Sequence, residues 1–96
     1  MRKICTTGNY IYALFNTIIE LEDYAITEVY GITIFEGNNV VTVEDISDDY
    51  DFVLKLFDMI VEGELCPEHL KDVVEDYLSY EALLRQSDNL QTRAMI

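Results

Sequence analysis

The chain has one histidine, one proline, no tryptophan, two cysteines, and six lysines and arginines against nineteen aspartates and glutamates. Each shortage narrows what the protein can do. So few cations cannot clamp phosphates, which excludes an ordinary nucleic-acid binder and disfavours attachment to an anionic membrane. The longest apolar run, Tyr10 to Phe15, falls far short of the ~18 residues that read as a membrane span. Met1-Arg2-Lys3 resembles the basic end of a signal peptide, but Thr6-Thr7-Gly8-Asn9 interrupts any apolar core behind it, so mature, cytoplasmic sequence is expected. In that compartment Cys5 and Cys66 are expected reduced, as small packing residues.

Catalytic and metal chemistry find poor material. His69 stands alone beside Glu68 and Lys71, where an exposed polar residue belongs. Cys66 and His69 have a Cys-x-x-His spacing with Glu64 nearby, yet structural zinc takes four ligands and no second pair follows. The segment Asp45-Ile46-Ser47-Asp48-Asp49-Tyr50-Asp51 invites a calcium reading, but it lacks the glycine and the closing glutamate of an EF-hand loop. Gly8, Gly31, Gly37 and Gly63 are isolated, so there is no glycine-rich phosphate loop. No catalytic residue, metal ligand or cofactor is expected.

What is present is hydrophobic material, half of the residues. That is enough for one core and too little chain for two. Residues 10–46 are rich in Ile, Val, Tyr, Phe and Thr, which predicts strands over about Tyr10–Leu21, Ala25–Glu36 and Val40–Ile46. Gly31 suggests a bulge or a close backbone approach, and Gly37-Asn38-Asn39 a hairpin turn. From Ser47 the apolar period lengthens: Phe52, Val53, Leu56, Phe57 and Ile60 recur at helical spacing, with Ser47 or Asp48 as N-cap and Gly63 as the C′ residue. Pro67 opens a second helix with a stripe of Leu70, Val73, Val74, Tyr77, Leu78 and Leu84. The expected fold is a two-layer α+β domain over residues 1–86, a three-stranded antiparallel meander followed by two helices on one face (βββαα). Residues 87–96 are expected as a flexible C-terminal tail.

Two surfaces follow. The first strand is apolar on both sides. With Ile11, Ala13, Phe15, Thr17, Ile19 and Leu21 taken as the core side, Tyr10, Tyr12, Leu14 and Ile18 remain as a dimer or partner face, unless the tail or a helix wraps over it, or the strand is shorter and its register differs. The second surface is charge. Between Ile4 and Leu54 there is no Lys or Arg, while Glu20, Glu22, Asp23, Glu28, Glu36, Glu44, Asp45, Asp48, Asp49 and Asp51 all fall there. A charge run is usually a solvated face that aids solubility, but this asymmetry marks a candidate binding surface.

Tyr30-Gly31-Ile32, Asp45-Ile46-Ser47, Leu65-Cys66-Pro67-Glu68-His69-Leu70 and Asp72-Val73-Val74-Glu75-Asp76-Tyr77-Leu78 resemble a domain-of-unknown-function family of short bacterial proteins, over residues 10–84. That resemblance implies no activity. In layout and charge the chain is also similar to phage-encoded anti-CRISPR proteins that imitate PAM duplex DNA. This likeness implies a Cas9-type nuclease as partner, its PAM-reading arginines meeting Glu44, Asp45, Asp48, Asp49 or Asp51.

The function these readings favour is a non-enzymatic inhibitor or regulator that binds a basic, nucleic-acid-handling protein by DNA mimicry. Its expected contact residues are Glu20, Glu22, Asp23, Glu28, Glu44, Asp45, Asp48, Asp49 and Asp51. The alternative is a housekeeping interaction module, or a homodimer, whose charge serves solubility.

Overall fold

The computed structural model describes the backbone of residues 3–94 and the side chains of residues 3–83. Four strands precede two helices: β1 (Lys3–Thr7), β2 (Tyr10–Glu20), β3 (Ile26–Glu36), β4 (Asn39–Ser47), α1 (Tyr50–Glu62), a 3-10 turn (Pro67–His69) and α2 (Leu70–Ala94). The strands form one antiparallel meander in the order β1-β2-β3-β4. The expected α+β layout therefore holds, with a sheet of four strands where the sequence pattern predicted three. The missed strand is β1. Gly8 and Asn9 form a two-residue hairpin loop between the paired Thr7 and Tyr10, and Gly8 supplies the positive φ of 55° that such turns need. A sequence feature that only seemed to interrupt an apolar run is thus a turn.

The face assignment of β2 is reversed. Tyr12 and Leu14, expected on an uncovered face, are wholly buried beneath the helices with Tyr30, Ile32, Ile34, Val53, Leu56, Phe57, Ile60 and Leu70. The deciding strand is β3, whose pairing sets Tyr12 opposite Ile34 and Leu14 opposite Ile32. Its even positions from Tyr30 to Ile34 are large and apolar, while the odd positions between them are Gly31 and Thr33, and two helices cover the side with more to bury. Tyr10 is half-buried on the same side. Ile18 also lies on it but past the reach of the helices, and is 66% exposed.

Gly31 meets the close approach expected of it. A Cβ there would sit 2.6 Å from both Phe15 Cζ and the Val43 carbonyl oxygen. The β3–β4 register shifts at this point, between Tyr30 and Ile32. Opposite, Asp45 takes φ 51°, which lets Val43 and Ile46 pack on the same core although they lie three positions apart.

The α1 caps differ by a residue from expectation. Asp49 is the N-cap and accepts from Phe52 N–H at 3.3 Å, while Ser47 Oγ accepts from Asp49 N–H at 3.1 Å. At the other end Gly63 has φ −82°, and Glu64 takes the left-handed position at φ 50°. Leu65 N–H bonds the Ile60 carbonyl and Glu64 N–H the Val61 carbonyl, both at 3.1 Å, which completes a Schellman cap. α2 continues as helical backbone to Ala94, past Ser87 where a tail is expected. Leu84, and the side chains of residues 87–96, lie outside the described ones.

Candidate functional site

β2 and β3 pair as far as Glu20 opposite Ile26, whereas β4 ends at Ser47 opposite Tyr30. The β2–β3 hairpin therefore outruns its neighbour by four rungs, or roughly 13 Å at the rise of a strand. Its tip is a tight turn: Tyr24 N–H bonds the Leu21 carbonyl at 2.9 Å, and Leu21 N–H the Ala25 carbonyl at 2.7 Å. Asp23 accepts from Ala25 N–H at 3.2 Å, an Asx arrangement that stiffens the tip. Tyr24 occupies the left-handed region at φ 64° and is 85% exposed. With Ile18, Leu21 and Ile26 also exposed, the finger presents apolar side chains among Glu20, Glu22, Asp23 and Glu28.

At the root of the finger stands the second acidic group. Because Ser47 pairs with Tyr30, and the Tyr30 and Tyr50 rings meet edge-on at 5.2 Å, the β4–α1 junction lies against the base of the hairpin. The nine acids singled out by sequence are thereby brought to one end of the sheet. Their tasks differ, however. Asp49 caps α1, Asp51 lies in its first turn, Asp45 holds the bulge and Asp23 holds the tip. Glu28 accepts from the Tyr30 hydroxyl and from Asn16 Nδ2. Glu20, Glu22, Glu44 and Asp48 are exposed, and no local architectural task accounts for them.

The sheet face away from the helices is the surface that sequence reasoning missed. It carries a row of Thr6, Ile11, Phe35 and Val40 across the four strands, and beside it Ile4, Ala13, Thr33 and Thr42. Ile4 is 58%, Val40 52% and Ile11 43% exposed. Thr33 and Thr42 hydroxyls bond each other at 2.9 Å, satisfying the polar atoms at its centre. A shallow hollow lies among Ile4, Asn9, Ile11, Ala13, Phe35 and Gly37. The signal was in the sequence, in the side of β2 taken for the core.

The remaining candidates are scattered. Cys5 and Cys66 are free and half-buried, and His69 is exposed. Among the described residues no group of three or more His, Cys, Asp or Glu is arranged to hold a metal ion, and no helix is long and apolar enough to cross a membrane. Tyr12 has the largest electrostatic perturbation: burial first, then the charges of Tyr10, Glu64 and Cys66, pushes its hydroxyl up to about 12. Lys3 is raised chiefly by its hydrogen bond to Asp58, at 3.2 Å, a contact that ties β1 to α1.

Fold and surfaces define a two-layer α+β domain with one sheet face under helices, one sheet face open, and an acidic hairpin projecting from one end. Residues 1–80 match the model of a family of unknown function, DUF6514, and the chain belongs to that family. The match takes in all four strands, α1 and the first part of α2. No curated protein and no solved structure gives a significant match.

Proposed function

We propose that the chain is a non-enzymatic acidic binding protein, an inhibitor or regulator that places its β2–β3 finger in a basic, nucleic-acid-handling cleft of another protein. The observation that carries this is the finger: it projects past β4 and exposes Ile18, Leu21, Tyr24 and Ile26 among Glu20, Glu22, Asp23 and Glu28. Carboxylates fixed on a paired ribbon imitate the field of duplex DNA, which carries about one charge per 1.7 Å of axis. They draw in a cleft lined with Arg and Lys, and the exposed Tyr24 ring supplies the aromatic anchor that a desolvated interface centre favours. Paired-carboxylate catalysis would instead require a water-excluding cleft, and the finger is convex.

The sharpest form of the proposal is an anti-defence role against a Cas9-type nuclease, whose PAM-reading arginines would meet Glu44, Asp45, Asp48, Asp49 and Asp51 at the finger's root. The test is competition for DNA. The chain should displace target duplex from such a nuclease, with relief by added DNA or salt, and the triple variant Glu20→Lys, Glu22→Lys, Asp23→Lys should not. Duplex binding undisturbed by saturating protein removes the nuclease as partner. A triple variant as effective as wild type removes the finger.

A further inference from the structure

The open sheet face is an unusual surface for a chain of net charge −13. Across β1, β2 and β3 every described residue directed to it is uncharged: Ile4 and Thr6, then Ile11 to Ile19 and Thr27 to Phe35 at alternate positions. On β4, Val40 and Thr42 continue it, and Glu44 at the bulge is where alternation first brings a carboxylate to that side. The most exposed apolar residues, Ile4, Ile11 and Val40, cluster around Phe35 at the end opposite the finger. From Ile11 to Glu20 along β2 is about 30 Å, several times the ~8 Å screening length at physiological salt.

We propose that this face packs against the same face of a second copy of the chain, forming a two-fold, sheet-on-sheet dimer centred on Ile4, Ile11, Phe35 and Val40. Charge argues for a second copy over a charged partner. A basic partner has nothing to pair with here, whereas two identical uncharged faces come together without bringing carboxylates into contact. A two-fold axis near Phe35 points the fingers in opposite directions, so the acidic ends stay apart. Sheets packed face to face ~10 Å apart are a common way to bury such a face. The dimer is independent of what the finger binds, and it displays two fingers at once.

Sedimentation equilibrium from micromolar to submillimolar protein tests this. Wild type should titrate from monomer to dimer. Val40→Lys and Val40→Glu should each weaken the association at least about tenfold, because either charge is buried unpaired. Met59→Lys, at an exposed position on α1, should leave it unchanged. A strictly monomeric wild type overturns the proposal. So does a Val40→Lys variant that associates as well as wild type, since relief of net charge rather than face burial would then govern association. Half-filtered NMR on mixed labelled and unlabelled wild type needs no variant. Intermolecular contacts among Ile4, Ile11 and Val40 methyls support the dimer, and dimers lacking them overturn the face assignment.

Discussion

The Tyr12 hydroxyl on β2 donates to the carbonyl of Leu65, 3.0 Å away and 53 positions along the chain. It joins the middle of the sheet to the loop that closes α1, and both groups sit where the two layers meet. Tyr12→Phe keeps the ring and strands the carbonyl, so a loss of about 1 kcal/mol is expected in urea unfolding. The hydroxyl also reports on pH. Its folded pKa, about 12, lies above the ordinary value of 10.0. A raised pKa means that the contribution is complete below the unfolded value and is lost as pH rises through the folded one. Wild-type stability should therefore fall between those two values more steeply than that of Tyr12→Phe. Parallel pH profiles for the two proteins would contradict this.

Gly31 permits the crossing of Phe15 over the sheet. Gly31→Ala should destabilise by about 1–3 kcal/mol, the usual cost of overpacking. Adding Phe15→Leu should recover only part, because the Val43 carbonyl, also 2.6 Å from the new methyl, is backbone and cannot swing aside. Urea midpoints of the two single variants and the double variant measure this coupling.

Two neighbouring aspartates should behave differently. Asp49→Ala removes the side chain that caps α1 and should cost about 1 kcal/mol. Asp48→Ala, at an exposed position with no local bond to lose, should stay within about 0.5 kcal/mol of wild type. Thermal unfolding of the pair separates acids that build the fold from acids with no architectural task.

Glu64 occupies the left-handed C′ position of α1 that glycine favours. Glu64→Gly should raise stability by a few tenths to about 1 kcal/mol, as relief of the left-handed penalty exceeds the entropy cost of glycine. The weak 3.4 Å contact from the Thr7 hydroxyl is lost in the exchange. Denaturant titration against wild type gives the sign.

Salt should move the two surfaces in opposite directions. Binding of a basic cleft by the finger should weaken as salt rises, since its attraction is long-range and screened. Self-association through the open face should hold or strengthen, since the screened charges there repel. Parallel salt titrations of complex formation and of dimer formation decide whether one surface or two are at work.

The sequence was most informative where a pattern has one physical solution. Helical spacing of Val53, Leu56, Phe57 and Ile60 left α1 little choice, and these four are its buried residues. Gly37 likewise marks the β3–β4 turn, with φ 57°. It was least informative where two solutions look alike in one dimension. β2 is apolar on both sides, so alternation marks a strand without saying which side meets the helices. Gly63 is the glycine a C′ position attracts, yet the left-handed residue is Glu64, one place on.

By itself the sequence determined the α+β class, the helical stripes and the cation-free stretch between Ile4 and Leu54, because composition and period are local properties that survive in any tertiary arrangement. Only the tertiary structure decided that Ile11 and Val40 face outward while Tyr12 and Leu14 are wholly buried. It also decided that Asp48 stands at the root of the finger that carries Glu22. Both follow from strand register, which depends on partners distant in the chain: β3 selects the buried side of β2, and the pairing of Tyr30 with Ser47 gathers the acids at one end.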